Sequence, residues 1–291
     1  MPMLMKDKDT ERLRSSAASS TRERFRGRGL PDKAVFVTTS WDDGERSDLR
    51  LAELLSARAL PATFYVTTGG LGQGSAMSAM EVRGLSNAGF EVGAHTVTHP
   101  VLTEVSGAEA ARELEDCKQT LEDLLGRAVT SFAYPKGRYN SAVVELVRQA
   151  RYSCARGVQL LSLSHDFPRF EMPVTIQAFP HRWSGYAKNL LRRGEVASLA
   201  RFSLQIGRSK NWVELGKSLF DRALQRGGVW HLLGHSWQTE KLGGWSELED
   251  LLHYVSARPG VRYVTNTALC ETMRPELHVE GGRTSQQKTP A

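Results

Sequence analysis

The chain has 291 residues, 40% of them hydrophobic and 24% charged, the composition of an ordinary soluble globular protein able to bury one large core. Cys117, Cys154 and Cys270 are too few and too far apart for a disulfide framework or a Cys-x-x-Cys metal site, which argues against a disulfide-built secreted fold. No run approaches the roughly 18 apolar residues of a membrane span and the N-terminus lacks a signal-type apolar segment, so the expected location is cytoplasmic.

In chain order, residues 1 to 33 carry nine Lys/Arg against five Asp/Glu, and 1–32 are expected to be a disordered basic tail. One domain is then expected over 33–274. Ala34 to Thr39 reads as a strand, Ser47 to Ala59 as a helix with Leu51, Leu54 and Leu55 on one face, and Ala62 to Thr67 as the next strand. A loop with Gly69, Gly70, Gly72 and Gly74 follows. Met77 to Ala88 is a helix, Phe90 to Ala94 a strand, and 107–125 a helix in which Ala110, Leu114, Cys117, Leu121 and Leu124 recur at helical spacing. Ser131 to Tyr134 reads as a strand, Ser141 to Ala150 as a helix and Tyr152 to Ala155 as a strand, whereas 157–185 reads mostly as loop.

Residues 182 to 226 carry ten Lys/Arg against three Asp/Glu among leucines and other apolar residues, a basic helical region with helices within 186–205 and 211–226. Its plain reading is a solvated helix face. A field of this sign also suits a phosphate-bearing substrate or peripheral contact with an acidic membrane surface, while nucleic acid is not expected. Val229 to Leu233 is a buried strand. Ser246 and Glu249 have capping-box spacing for a helix to about Ala257, Val261 to Val264 is a last strand, and 275–291 is expected to be a disordered tail. Strands alternating with helices predict an α/β fold with a parallel sheet or barrel.

The polar clusters have a common address. Asp42-Asp43-Gly44, His95 with His99, Tyr134-Pro135-Lys136-Gly137 and His235 each follow a predicted strand, and strand C-terminal ends are where such folds place active sites. Singly, each has a dull explanation: Asp-Asp-Gly is ordinarily a turn, and histidines four apart are ordinarily structural. Together, a carboxylate and two imidazoles make a ligand set suited to zinc with positions left open. Neighbouring carboxylates on a strand point to opposite sides, so Asp43 can bind metal while Asp42 takes a proton.

These residues resemble the polysaccharide deacetylase family, the NodB-like carbohydrate esterases of family 4. Thr39-Ser40-Trp41-Asp42-Asp43-Gly44 is similar to the family's Thr-Phe-Asp-Asp-Gly element, His95-Thr96-Val97-Thr98-His99-Pro100 to its His-[Ser/Thr]-x-x-His-Pro element, Phe132 to Gly137 to its third, and Leu233-Gly234-His235 to its Leu-x-His element. The resemblance implies a distorted (β/α) barrel of about seven strands. It implies metal ligation by Asp43, His95 and His99, Asp42 as base, His235 as acid, and a groove wall at Tyr134, Pro135, Lys136 and Gly137 that offers a backbone N–H to an oxyanion.

Three departures stand out. Ala133 occupies the place of an Arg that orients the catalytic Asp in better-known members, Lys136 replaces an aromatic, and the Asp-x-x-Asp-Trp element is missing. Arg156 and Arg182 are the candidates to replace the Arg, and Trp237 or Trp245 the indole. The implied reaction is metal-dependent removal of an N-acyl group, with acetyl expected, from a sugar of a glycan or glycan precursor that is phosphate-bearing or lipid-linked. The alternatives are a hydrolase of non-sugar linear or cyclic amides on the same fold, and an inactive carbohydrate-binding relative.

Overall fold

The computed structural model describes residues 34–181 and 211–273. The tails expected at 1–32 and 275–291, the helix expected within 186–205, most of the basic segment and Arg182 lie outside the described residues. No described helix is long and apolar enough to cross a membrane.

Among the described residues, eight strands form one parallel sheet: β1 (Val35–Asp43), β2 (Thr63–Val66), β3 (Glu91–Ala94), β4 (Ser131–Ala133), β5 (Cys154–Arg156), β6 (Ile176–Gln177), β7 (Gly228–Gly234) and β8 (Val261–Tyr263). Seven follow the order β5-β4-β3-β2-β1-β7-β6, and β8 pairs with β1. The helices are α1 (Ser47–Ser56), α2 (Ala79–Asn87), α3 (Gly107–Leu125), α4 (Ser141–Gln149), α5 (Trp212–Arg226), α6 (Ser236–Leu242), α7 (Trp245–Val255) and α8 (Asn266–Met273). The strands curl with their helices into the distorted (β/α) barrel that the resemblance implies, one of the two forms that the alternation allows.

β1 is the axis of the sheet. Val35 to Trp41 pair with β7 along one edge, while along the other edge Val35 to Val37 pair with β8 and Ser40 to Asp43 with β2. A strand flanked in this way is buried on both faces, so its three consecutive hydroxyl residues need internal partners. They have them: Thr38 Oγ1 donates to Asn266 Oδ1 at 2.8 Å, Thr39 Oγ1 to Pro61 O at 3.4 Å, and Ser40 Oγ lies 2.8 Å from His231 Nε2. The strand therefore runs four residues past the expected end at Thr39. Asp42 and Asp43 are its last residues, not a turn that follows it.

α3 has the expected bounds because every local signal agrees. Ser106 accepts from Glu109 N at its start, Ala110, Leu114, Cys117 and Leu121 are buried along one face, and Gly126 closes it at φ 66°. Elsewhere the structure corrects the sequence. β6 lies within the expected loop 157–185 and takes its pairing from the free edge of β7 at Leu232 and Leu233. Ser246 does not cap α7; the helix starts one residue earlier at Trp245, after Gly244, and a side-chain cap is absent there. Burial of the Trp245 ring sets that start, and the capping box that does form joins Ser78 to Glu81 on α2. α6 and α8 were not expected. Their short polar sequences carry little periodicity, and both are fixed by what they dock on.

Candidate active site

The site is assembled at the C-terminal ends of the strands by register. Trp41 pairs with Gly234, which sets the next residues, Asp42 and His235, level on adjacent strands. Asp43 pairs with Val66, Val66 with Ala94 and Ala94 with Phe132, so His95 emerges one residue later beside Ala133. Ala133 pairs in turn with Arg156. The guanidinium thus comes from the same level as Ala133, one strand over.

Several of these residues are held in left-handed backbone conformations: Asp43 at φ 85°, Thr96 at 68°, His99 at 60° and Lys136 at 53°. Each costs on the order of 1 kcal/mol or more outside glycine and persists only where the surroundings enforce it. Enforcement is visible around His95 and His99. Glu113 on α3 accepts from Val97 N at 2.7 Å, Thr98 N at 2.9 Å and Thr98 Oγ1 at 2.7 Å, and Thr96 Oγ1 accepts from His99 N at 3.1 Å. Gly44 is a positional requirement at φ +76°, where a Cβ would meet Val66 at 3.0 Å.

Asp43, His95 and His99 converge, each offering a ligand atom within 4.8 Å of the others. Asp43 Oδ1 lies 3.8 Å from His95 Nε2 and 3.7 Å from His99 Nε2, too far for hydrogen bonds. His95 Nδ1 sits 2.8 Å from Ala133 O, a carbonyl that can only accept, so Nδ1 carries the proton and Nε2 turns a lone pair toward the carboxylate. Burial lowers the His95 pKa to about 4, Asp42 and Asp43 opposing, which keeps the imidazole neutral. Two acceptors therefore face each other across a gap that suits a cation. Bonds of about 2.1 Å reach ligand atoms up to roughly 4.2 Å apart, and a neutral imidazole oriented by a carbonyl is the usual metal-binding form. The described residues fit a divalent ion.

Both carboxylates are divided between an anchored and a working oxygen. Asp42 Oδ1 accepts from Arg156 Nη2, and its Oδ2 lies 3.9 Å from His235 Nε2. Asp43 Oδ2 accepts from Trp237 Nε1 at 2.8 Å, leaving Oδ1 toward the histidines. Burial raises the pKa of Asp42, but Arg156, His95 and His235 outweigh it and the carboxyl stays below its usual range, ionised. Arg156 is itself fully buried, with Nη1 donating to Gly157 O at 3.0 Å and Nε without a partner among the described residues. His235 packs edge-on to Trp237 with ring centroids 5.9 Å apart, and its buried Nδ1 likewise has no partner among the described residues. Trp245 is elsewhere, with its ring under Arg50.

Tyr134, Pro135, Lys136 and Gly137 form a tight turn after β4. Tyr134 stacks on Tyr139 at 4.5 Å, Gly137 N donates to Tyr134 O at 2.8 Å, and Lys136 is exposed. The motifs did not reveal Glu113. Its only sequence signal is a charged position at the edge of the apolar stripe of α3, beside Leu114. His231, beneath the site, is also absent from any motif; burial lowers its pKa to about 3, so it is neutral next to the Asp42–Arg156 pair.

Residues 28–155 match the polysaccharide deacetylase family model, a span that contains the first three motif elements and stops one residue short of Arg156. Among solved structures, a Mycobacterium smegmatis protein assigned to the polysaccharide deacetylases is 16% identical over 90% of this chain and 96% of its own, with a TM-score of 0.59. A deacetylase solved with substrate is 16% identical over 81% of this chain and 90% of its own, with a TM-score of 0.50. The same identity and score describe a mutant of a family 4 carbohydrate esterase pseudoenzyme with restored activity, over 84% of this chain and 70% of its own. At these identities the likeness is one of fold. No curated protein matches the chain.

Proposed function

Starting from a chain whose residues 28–155 match the polysaccharide deacetylases, we propose that it is a metal-dependent hydrolase that removes an N-acyl group, acetyl in the first instance, from a sugar. The observation that carries the reading is the pair of carboxylates with divided duties, Asp43 facing the imidazoles of His95 and His99 while Asp42, held ionised by Arg156, faces His235. Asp43, His95 and His99 would hold the ion, with zinc favoured by the one-oxygen, two-nitrogen set. Such an ion supplies a Lewis acid and brings the pKa of water down toward neutrality.

The chain's own residues supply the rest. Asp42, ionised and oriented by the guanidinium, takes the proton of the attacking water. His235 delivers a proton to the departing amine, and its reach to the oxygens of both Asp42, at 3.9 Å, and Asp43, at 4.0 Å, puts it at the reacting centre. The Pro135–Gly137 turn, with Lys136 strained at its middle, offers the Lys136 N–H to the developing oxyanion, a contribution of about 3 to 4 kcal/mol for a well-aimed donor. The exposed Lys136 and the chain's net charge of +6 favour a substrate that bears phosphate, either nucleotide-linked or lipid-linked.

A panel of N-acetyl sugars, each with and without a phosphate group, tests this with zinc-supplemented protein and acetate release as the readout. Release of acetate that is abolished in Asp42→Asn is the expected result. Hydrolysis restricted to cyclic amides would replace the sugar reading, and no hydrolysis of any amide would end it.

A further inference from the structure

One oxygen of Asp43 already has a hydrogen-bond donor, the indole of Trp237. The first turn of α6 is fixed to that of α1, with Ser236 Oγ donating to Asp48 Oδ1 at 2.5 Å and lying 2.7 Å from Ser47 Oγ. The next residue, Trp237, is therefore preset, and its indole N–H reaches Asp43 Oδ2 at 2.8 Å. The ring remains 37% exposed at the rim, so the contact is not a by-product of burying the indole. His235 Nε2 lies 4.0 Å from the same oxygen.

We propose that Trp237 is a positioning residue: through its N–H on Asp43 Oδ2 it confines Asp43 to ligation by one oxygen, which sets the tightness of the metal site and keeps coordination space open. This rests on the metal-binding reading above. A carboxylate free to rotate loses the fixed aim of Oδ1 at the ion, which weakens binding even where Oδ2 also reaches the ion and fills a position that water or substrate needs, and Oδ2 can also swing onto His235 and occupy it. An indole N–H prevents both, because it donates to Oδ2 and accepts nothing in return. Partners of this kind behind a ligand typically account for a factor of 10 to 100 in metal affinity.

The test compares full-length wild type with Trp237→Phe, which keeps an aromatic ring beside His235 and removes the N–H donor together with part of the ring. Zinc affinity is measured by titration calorimetry and the ligand field by the visible spectrum of the cobalt(II) form, with the melting temperature of the metal-free proteins as the folding check. The expected result is zinc affinity weaker by roughly 10 to 100-fold and an altered cobalt spectrum, at an unchanged metal-free melting temperature. Affinity within about twofold of wild type together with an unchanged cobalt spectrum overturns the proposal while leaving the metal site standing. Wild type that binds neither metal overturns the metal reading and this proposal with it.

Discussion

Arg156 shows how a single side chain can satisfy a chemical need from an unexpected place. Its side chain is fully buried and that of Asp42 nearly so, and two such groups are tolerable only as a pair. The pair also sets the state of Asp42. Because its folded pKa lies below the ordinary 3.8, the charge and the stability it brings are present through the neutral range and are lost only as pH falls through the lowered value. Arg156→Met should therefore strand a buried carboxylate, costing roughly 3 to 5 kcal/mol in urea unfolding at pH 7, with turnover lost even where the variant is folded. A variant as stable and as active as wild type would show that the guanidinium is not what orients Asp42. The sequence offered Arg156 and Arg182 as equals. Arg182 lies outside the described residues, and Arg156 is brought to Asp42 by the Ala133–Arg156 register, a property of strand pairing that its own sequence neighbourhood does not carry. His95, His99 and the two aspartates were legible because their spacing is local.

At the scale of elements, legibility followed agreement between local signals. α3 could be placed to the residue because cap, stripe and C-terminal glycine coincide. β6 and α6 could not, since the former exists to pair with the open edge of β7 and the latter to carry Trp237 onto Asp43. The β1–β7 pair shows what such pairing does for the site. A Cβ at Gly234 would come within 2.2 Å of the Trp41 ring, so only glycine lets the two strands close and bring His235 level with Asp42. Gly234→Ala should destabilise by about 1 to 3 kcal/mol, read from thermal or urea unfolding, and reduce turnover by more than the loss of folded protein explains. Full activity in the alanine variant would show that this spacing is not critical.

For the molecule as a whole, the candidate site gathers at one end of the barrel. All five residues expected to touch metal or proton arrive there from β1, β7 and the segment after β3, and the strained backbone at Asp43, Thr96, His99 and Lys136 gathers at the same end. The fold is shared with deacetylases at 16% identity, so the claim that this chain is an enzyme rests on its own site and not on its relatives'. The most direct test is metal stoichiometry and turnover measured side by side on wild type, Asp42→Asn and His95→Ala. The account predicts one ion per chain in wild type and Asp42→Asn, turnover in wild type alone, and loss of both in His95→Ala. Wild type without a bound ion, or His95→Ala that keeps its ion and its activity, would contradict it.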